Sequence, residues 1–257
     1  MLALIGMGLG KGDISVRAID FIKGCDKVYA ERYTAVSDDG AIAEISASTG
    51  KSIETLQRQD FEDRVKETVR SAAHASVAIL VYGDPLVATT HHIILDEAEK
   101  QNIEAKVFHS SSILSAAIGE SCLDVYRFGP PVTIPYWSEK YRPTSFLDVA
   151  ERNLSNNLHT MLLMDINQKE RAPMKLSEAL EIIRSAQGNS GKAIFQDGTS
   201  IMIMGNVGKH DQKIALTAFA TAQSLVSAFE GKMLVMILPS KPNFAEEEAM
   251  SKFKNPD

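Results

Sequence analysis

Two glycine-containing segments could bring backbone close to a ligand. The first is the run Gly6–Gly12, which holds four glycines in seven residues, and the second is Gly83–His91, where Asp84 follows an apolar run. Glycine permits positive φ and close backbone approach, and a carboxylate accepts charge-assisted hydrogen bonds. The first run matches neither the dinucleotide fingerprint nor the phosphate-binding loop, because Lys11 is followed by Gly12 rather than by Ser or Thr. A tight turn in the first segment and an Asx turn at Asp84 therefore remain alternative interpretations.

Covalent and metal chemistry have no recognisable pattern in this sequence. His91 and His92 are adjacent, so on a helix they point about 100° apart and cannot bind one metal ion together. The other histidines give no metal-ligand spacing, and no Gly-x-Ser-x-Gly segment is present. We therefore expect no metal site and assign no catalytic side chain. Five aromatic residues near the middle of the chain are interpreted as core or interface, with an acceptor site as the alternative: Tyr126, Phe128, Tyr136, Trp137 and Tyr141.

Apolar runs and helical spacing alternate in the first half of the chain. Strands are predicted at 2–5, 27–31, 76–82 and 103–108, with helices between them. This alternation is typical of βαβ units and predicts a mostly parallel sheet. Both glycine-containing segments follow predicted strands, so we expect them at the carboxyl ends of the sheet, where open α/β folds bind ligands.

The pattern changes at Gly129-Pro130-Pro131, which predicts two α/β domains, residues 1–128 and 129–257. The second half mixes helical spacing with apolar runs at 132–135 and 159–166. We therefore expect a mixed sheet in the second domain, which would complete the ligand cleft.

An antiparallel hairpin is predicted in this second sheet. Asp197-Gly198 favours a type I′ turn that joins strands at 192–196 and 199–204. The apolar stripe that follows predicts a long helix over Asp211–Phe229. The charged tail after Ser240 is expected to end in disorder.

Composition excludes some classes of protein. The chain has 257 residues, a net charge of −6, and 44% hydrophobic and 23% charged residues, which is typical of a folded globular protein. The pI of about 5.6 counts against a whole-chain basic field, so we expect no direct nucleic-acid binding. No apolar run approaches the ~20 residues of a membrane helix, and no signal-peptide pattern opens the sequence. Cys25 and Cys122 match no metal or redox spacing and are interpreted as reduced buried thiols. We therefore expect a soluble cytoplasmic protein.

Several segments resemble the tetrapyrrole methylase superfamily. They are the glycine loop with Asp13-Ile14-Ser15, the segment Gly83–His91, and Ser112-Ile113. The resemblance spans about residues 1 to 245 and implies two α/β domains with an S-adenosylmethionine site. It is closer to the diphthine synthases within that superfamily, on three narrower segments: Val125–Gly129, Pro143–Asp148 and His159–Ile166.

The resemblance implies a specific activity. Diphthine synthases transfer methyl groups from S-adenosylmethionine to the amino group of a modified histidine on translation elongation factor 2, giving diphthine, and they form homodimers. The resemblance therefore implies a homodimer with S-adenosylmethionine as cofactor and elongation factor 2 as protein substrate. Carried over position by position, the expected cofactor contacts are Leu9, Asp84, Val87, Ser112, Ile113, Met164, Val207 and Leu234.

The C-terminal part departs from the pattern of this family. Met233-Leu234 precedes the last predicted strand, where the family usually has a Pro-His pair, and Asn243 replaces a later histidine. The segment Met204–Gly208 is also only loosely similar. These departures fall beside Val207 and Leu234, on the adenine side of the expected pocket.

Other activities remain open from the residues alone. A corrin-pathway or other tetrapyrrole methyltransferase, or a ribosomal RNA methyltransferase of the same superfamily, would keep the cofactor and change the acceptor. The acidic pI counts against RNA, because contacts with phosphate supply most non-specific affinity. A non-catalytic nucleotide-binding module is the third interpretation. Glu31 ends a predicted strand as a ribose-binding acid would, but the glycine spacing does not fit.

Overall fold

The computed structural model describes residues 1–31, 40–56, 58–167, 170 and 172–254, with the backbone alone at 58–64. Contacts divide the chain into two compact units, Met1–Ile113 and Leu114–Asp257. This division falls at the first residue of a helix, and the domain boundary after residue 128 stays a prediction. No helix in the described residues is both long and apolar enough to cross a membrane.

The first unit is built on a five-stranded sheet whose strands are all paired in parallel. The order in the sheet is β3-β2-β4-β1-β5, so the prediction of a mostly parallel sheet is confirmed. The strands are β1 (Leu2–Gly6), β2 (Lys27–Glu31), β3 (Ile53–Leu56), β4 (Val77–Val81) and β5 (Ala105–Phe108).

Helices cover both faces of this sheet. Every residue of β1 and β4 is buried, because both strands are apolar throughout and a parallel sheet is covered on two sides. Ala3 and Ile5 belong to the core on one face, and Leu2 and Leu4 belong to the core on the other. These helices are α1 (Val16–Lys23), α2 (Ala41–Thr49), α3 (Arg58–Ser71) and α4 (His92–Lys100), and the next helix along the chain, α5 (Ile113–Ser121), begins at the last residue of the unit.

The second unit has a mixed five-stranded sheet with a separate two-stranded ribbon. Its strands are β6 (Val132–Ile134), β7 (Thr160–Met164), β8 (Ile166–Asn167), β9 (Ala172–Pro173), β10 (Ser200–Gly205), β11 (Lys213–Ala218) and β12 (Leu234–Leu238). The larger sheet has the order β11-β10-β12-β7-β6, in which only the pair β6–β7 is parallel. Its helices are α6 (Ser145–Ser155), α7 (Leu176–Ser190) and α8 (Phe244–Met250).

The antiparallel hairpin is present, but the predicted strands were partly wrong. β10 pairs with β11 rather than with residues 192–196. The segment around Phe195 is held by α7 instead: the Gln187 side chain accepts a hydrogen bond from Phe195 N at 2.6 Å and donates to its carbonyl at 3.1 Å. These bonds satisfy backbone groups that a strand would have paired with a neighbour.

The predicted long helix over Asp211–Phe229 was also wrong. Residues Lys213–Ala218 form β11, and two short 3₁₀ turns follow at Phe219–Leu225 and Ser227–Phe229. Alanine-rich spacing favours a helix, but six residues of β11 pair with β10, and such pairing overrides local propensity.

The structure describes the tail after Ser240 up to residue 254. Asn243 and Glu246 form a capping box at the start of α8, and Glu246 is buried. The expectation of disorder at the very end falls on residues 255–257, which lie outside the described residues.

Candidate functional site

The glycine loop and the Gly-Asp-Pro turn are joined directly by backbone hydrogen bonds. Gly8 N donates to the carbonyl of Gly83 at 3.2 Å, and Gly83 N donates to the carbonyl of Gly8 at 2.8 Å. Both residues have positive φ, +77° and +70°. A Cβ on Gly6 would lie 2.6 Å from the Gly83 carbonyl oxygen. Close approach to the second loop therefore requires glycine here.

Asp84 ties its own turn to the loop after β5. Its Oδ1 accepts a hydrogen bond from Leu86 N at 3.0 Å, which is the expected Asx turn. Its Oδ2 accepts from Ser110 N at 3.2 Å and lies 2.8 Å from Nδ1 of His109. Only 7% of Asp84 is exposed. The carboxylate therefore uses both oxygens to fix two neighbouring loops.

Asp13 makes the corresponding connection on the glycine loop. Its Oδ2 accepts from Leu9 N at 2.9 Å and from Ser111 Oγ at 3.1 Å. The hydroxyl of Ser15, not Asp13, caps α1 by accepting from Ala18 N at 3.2 Å. The sequence analysis did not predict this role of Asp13. Nothing in the sequence marks Ser111 as its partner, because the two residues are joined only by the fold.

These bonds place three loops at the carboxyl edge of β4, β1 and β5, which are neighbours in the sheet. Five of the expected cofactor contacts lie on this edge, although their contact with a cofactor stays a prediction. They differ in exposure: Ser112 is 9% exposed and Val87 is 38% exposed. The five are Leu9, Asp84, Val87, Ser112 and Ile113.

The loop after β4 also carries backbone strain and an unpartnered polar atom. Ala88 has a φ of +55°, a conformation that L-residues rarely adopt outside functional or tightly determined loops. Thr89 Oγ1 is buried and has no hydrogen-bond partner in the described part of the chain. A buried hydroxyl without a partner is costly unless a ligand or water satisfies it. Both features lie beside the exposed Val87.

A buried glutamate–histidine pair lies next to this loop. Nε2 of His91 lies 3.7 Å from a carboxylate oxygen of Glu31, and Nδ1 lies 3.2 Å from the carbonyl of Pro85. Burial lowers the pKa of His91, although the contact with Pro85 opposes this. Glu31 is fully buried, so it does not present an exposed acid to a ribose.

The three expected contacts in the second unit also share one edge. Met164 ends β7, Leu234 begins β12, and Gly205 ends β10 just before Val207. The register pairs Gly205 with Leu234 and Leu163 with Val235, so these strand ends are adjacent.

A polar clamp holds the backbone at this second edge. Lys232 Nζ donates to Asp211 Oδ2 and to the Asp211 carbonyl, at 2.8 and 2.9 Å. Asn206 Nδ2 donates to the same carboxylate oxygen at 2.8 Å, and its Oδ1 accepts from Met233 N at 2.8 Å. The bonds from Lys232 and Asn206 hold the pKa of Asp211 below its usual range. The clamp therefore joins the residues just before Val207 and just before Leu234.

The predicted aromatic cluster divides into separate roles. Phe128 packs edge-on against His159 with ring centroids 5.2 Å apart. The hydroxyl of Tyr136 donates to Glu178 at 2.9 Å, and burial together with this carboxylate raises the pKa of the phenol well above its usual range. Tyr126 and Tyr141 are exposed. Trp137 is the one residue of the five that lines a cavity with Glu181 and Ser185 of α7.

Glu246 organises a buried network in the second unit that sequence reasoning did not find. It accepts from His159 Nε2 at 3.0 Å, pairs with Arg127, and accepts from Asp124 N at 3.1 Å. His159 Nδ1 accepts from Ser240 N at 3.0 Å, so the ring carries its proton on Nε2. Burial lowers the pKa of His159 despite the carboxylate. The network therefore fixes the C-terminal segment to the residues around Arg127 and His159.

Within the described ranges, no group of three or more His, Cys, Asp or Glu side chains is placed to hold a metal ion. Cys25 is buried and Cys122 is partly exposed, and both are free thiols. Burial raises the pKa of Cys25, which makes it a poor nucleophile.

Comparison with known proteins agrees with this architecture. The sequence model described as Tetrapyrrole (Corrin/Porphyrin) Methylases matches residues 1–223, so the chain belongs to that family. Within it, the chain is a member of the diphthine synthase group. It is 33% identical to the diphthine synthase of Methanothermobacter thermautotrophicus over 249 residues, covering 96% of this chain and 93% of the relative.

Other relatives give the same placement. The chain is 32% identical to the diphthine methyl ester synthase of Mus musculus, covering 100% of this chain and 98% of the relative. A crystal structure of a diphthine synthase superimposes with a TM-score of 0.86 at 28% identity, covering 98% of this chain and 95% of that one. The resemblance seen in the sequence, and the two-sheet α/β fold that it implies, are therefore confirmed.

Proposed function

We propose that the protein is an S-adenosylmethionine-dependent N-methyltransferase that methylates the amino group of the modified histidine on translation elongation factor 2, giving diphthine. The observation that carries this proposal is the edge of the first sheet, where Asp13 and Asp84 fix three loops that bear five expected cofactor contacts. The family and the near full-length relatives agree with it. Because this acceptor acts in translation, we expect the protein in the cytoplasm.

The described residues fit the cofactor. The edge offers apolar surface on Val87, a buried Thr89 hydroxyl without a partner in the described part of the chain, and loops whose glycines expose backbone groups. S-adenosylmethionine would supply an electrophilic methyl group on a sulfonium, and its neutral thioether product needs no proton. Leu9, Val87 and Ile113 would bind the cofactor's apolar surfaces, and Met164, Val207 and Leu234 would do so from the second sheet.

The chain's part in catalysis is mainly alignment. Holding two reactants in a reactive geometry can supply roughly 7–11 kcal/mol of a barrier in favourable cases. The carboxylates of Asp13 and Asp84 are already engaged by backbone and side-chain donors, so neither is a free general base. We therefore expect the acceptor amine to arrive unprotonated or to lose its proton to solvent, and the rate to rise with pH.

A second candidate keeps the acceptor and changes the atom that is methylated. The relatives from Mus musculus and Homo sapiens are diphthine methyl ester synthases, and they match this chain about as well as the diphthine synthases do. A carboxylate of the same modified histidine would then also accept a methyl group. Tetrapyrrole and RNA acceptors have no such support among these relatives.

One experiment tests both candidates. Elongation factor 2 carrying the unmethylated precursor is incubated with the protein and S-adenosylmethionine, and the modified peptide is analysed by mass spectrometry before and after mild alkaline treatment. Methyl groups that resist alkali are expected on nitrogen, whereas an ester methyl is removed. Calorimetry with S-adenosylmethionine is run on the same preparation. Cofactor binding without methyl transfer to this acceptor would refute the assignment of elongation factor 2 as substrate.

A further inference from the structure

The segment that carries Trp137 is attached to the edge of the second sheet where Met164 lies. Ile134, the last residue of β6, pairs with Met164. Asp165 N donates to the carbonyl of Ile134 at 3.1 Å, and Asp165 Oδ2 accepts from Tyr136 N at 2.9 Å. Trp137 therefore follows directly on backbone that is fixed to an expected cofactor contact.

The ring of Trp137 forms one wall of a cavity of about 720 Å³. Its Nε1 donates to the carbonyl of Pro143 at 3.2 Å, which fixes the orientation of the ring. Glu181 and Ser185 of α7 also line the cavity, together with Glu139 and Arg142. The cavity volume lies within the range of small-molecule sites.

The chemistry of this cavity suits a cation. The guanidinium of Arg142 lies 5.9 Å from the centroid of the Trp137 ring, so the ring face already receives a positive charge. The carboxylates of Glu139 and Glu181 make no hydrogen bond or ion pair within the described part of the chain. The indole face, the two unpaired carboxylates and the arginine together form an aromatic environment with a net negative charge. Such an environment favours ammonium ions, and quaternary ammonium ions most of all.

We propose that the Trp137 cavity is the subsite that binds the methylated ammonium group of the acceptor. Glu139 and Glu181 attract the cation, the indole face receives it, and Arg142 is the internal cation that it displaces. This inference rests on the proposed function, because repeated N-methylation of an amine ends in a quaternary ammonium ion. It identifies Trp137 as a substrate-binding residue, a role that neither the expected cofactor contacts nor membership of the family assigns to it.

Trp137 is the only tryptophan in the chain, so its fluorescence reports on this cavity alone. The probe is tetramethylammonium chloride, titrated against the full-length protein at constant ionic strength. The matched probes are potassium chloride, which has no organic cation, and 2,2-dimethylpropanol, which has a similar shape and no charge. A saturable fluorescence change is expected with tetramethylammonium only.

Two substitutions must act in opposite directions. Glu181→Gln keeps the shape and removes a negative charge, so the Kd for tetramethylammonium should rise at least about threefold. Arg142→Gln removes the competing cation, so the Kd should fall by a comparable factor of about three. Glu248→Gln removes an exposed carboxylate on α8 and should leave the Kd unchanged. Circular dichroism verifies that each variant is folded.

The outcomes separate this inference from the proposed function. No saturable change in the unsubstituted protein, or Kd shifts of the same sign in Glu181→Gln and Arg142→Gln, would overturn the cation subsite even if methyl transfer to elongation factor 2 is intact. Opposite shifts support it. Opposite shifts in a protein that binds S-adenosylmethionine but methylates nothing would support cation binding while removing its assignment to this acceptor.

Discussion

Replacing Asp84 with asparagine tests the loop edge at its centre. Asparagine keeps one carbonyl oxygen for Leu86 N, but it places an NH₂ group where Oδ2 now accepts from Ser110 N. The Ser110 bond is made to a charged group, and such bonds contribute about 1.5–3 kcal/mol. The contact with His109 adds less, because that side chain is 67% exposed and exposed pairs contribute at most about 1 kcal/mol. The free energy of unfolding should therefore fall by about 2–3 kcal/mol.

The same change should weaken cofactor binding. Ser112 and Ile113 follow Ser110 closely in the chain. Without the bond to Asp84, this loop would have to become ordered when the cofactor binds, and that ordering would make the binding free energy less favourable. A loss of 1.4 kcal/mol is a factor of ten, and we expect the Kd for S-adenosylmethionine to rise about 10- to 100-fold. Calorimetry measures the Kd, and chemical denaturation followed by circular dichroism measures the stability.

His109→Gln is the matched control. It removes the exposed partner of Asp84 and keeps the bonds to Leu86 and Ser110. The Kd of this variant should change by less than about threefold, in line with the small value of exposed pairs. An Asp84→Asn protein that is folded and binds S-adenosylmethionine with unchanged Kd would refute the role given to this carboxylate.

Three further predictions concern the clamp, the buried histidines and the assembly. Lys232→Met should raise the Kd for S-adenosylmethionine about three- to tenfold, because Asp211 loses a charge-assisted bond, and calorimetry should show no such change in the exposed Lys100→Met. The folded-state pKa values of His91 and His159 lie below those of the unfolded chain, so stability is complete above about pH 6.5 and should decline as the pH falls below it; a thermal midpoint that is constant from pH 7 to pH 5 would contradict this. Light scattering should give a particle of twice the chain's mass, because the resemblance to the diphthine synthases implies a homodimer, and a value of 28.1 kDa at micromolar protein would exclude it.

Most of the first half of the fold was predictable because its signals are local, although β3 (Ile53–Leu56) and α2 (Ala41–Thr49) were not predicted. Apolar runs such as 76–82 are too short to be helices, and glycines or prolines end them. The positions of Leu9 and Asp84 follow from these strand ends alone. The partners of Asp13 and Asp84 could not be predicted, because Ser110 and Ser111 reach them only through the pairing of β1 with β4 and β5.

The second half was harder because tertiary contacts override its local signals. Asp197-Gly198 does form a turn, but Gln187 holds the preceding segment through the backbone of Phe195. The alanine-rich segment from Lys213 to Ala218 is a strand because β10 pairs with it. Glu246 could have been suspected, since Asn243 and Glu246 have the spacing of a capping box, but its bonds to Arg127 and His159 join distant parts of the chain.

Two of the stretches that depart from the family pattern are joined by hydrogen bonds in the structure. In the sequence, the segment Met204–Gly208 and Met233-Leu234 lie far apart and look like independent departures on the adenine side of the expected pocket. In the structure, Asp211 accepts from both Asn206 and Lys232, and Asn206 also accepts from Met233 N. A Cβ on Gly205 would lie 2.8 Å from the Lys232 side chain, so the clamp also depends on a glycine at the end of β10. Val207 and Leu234 thus each follow a residue of one polar clamp, Asn206 and Met233, so hydrogen bonds between distant parts of the sequence position the backbone of both expected contacts.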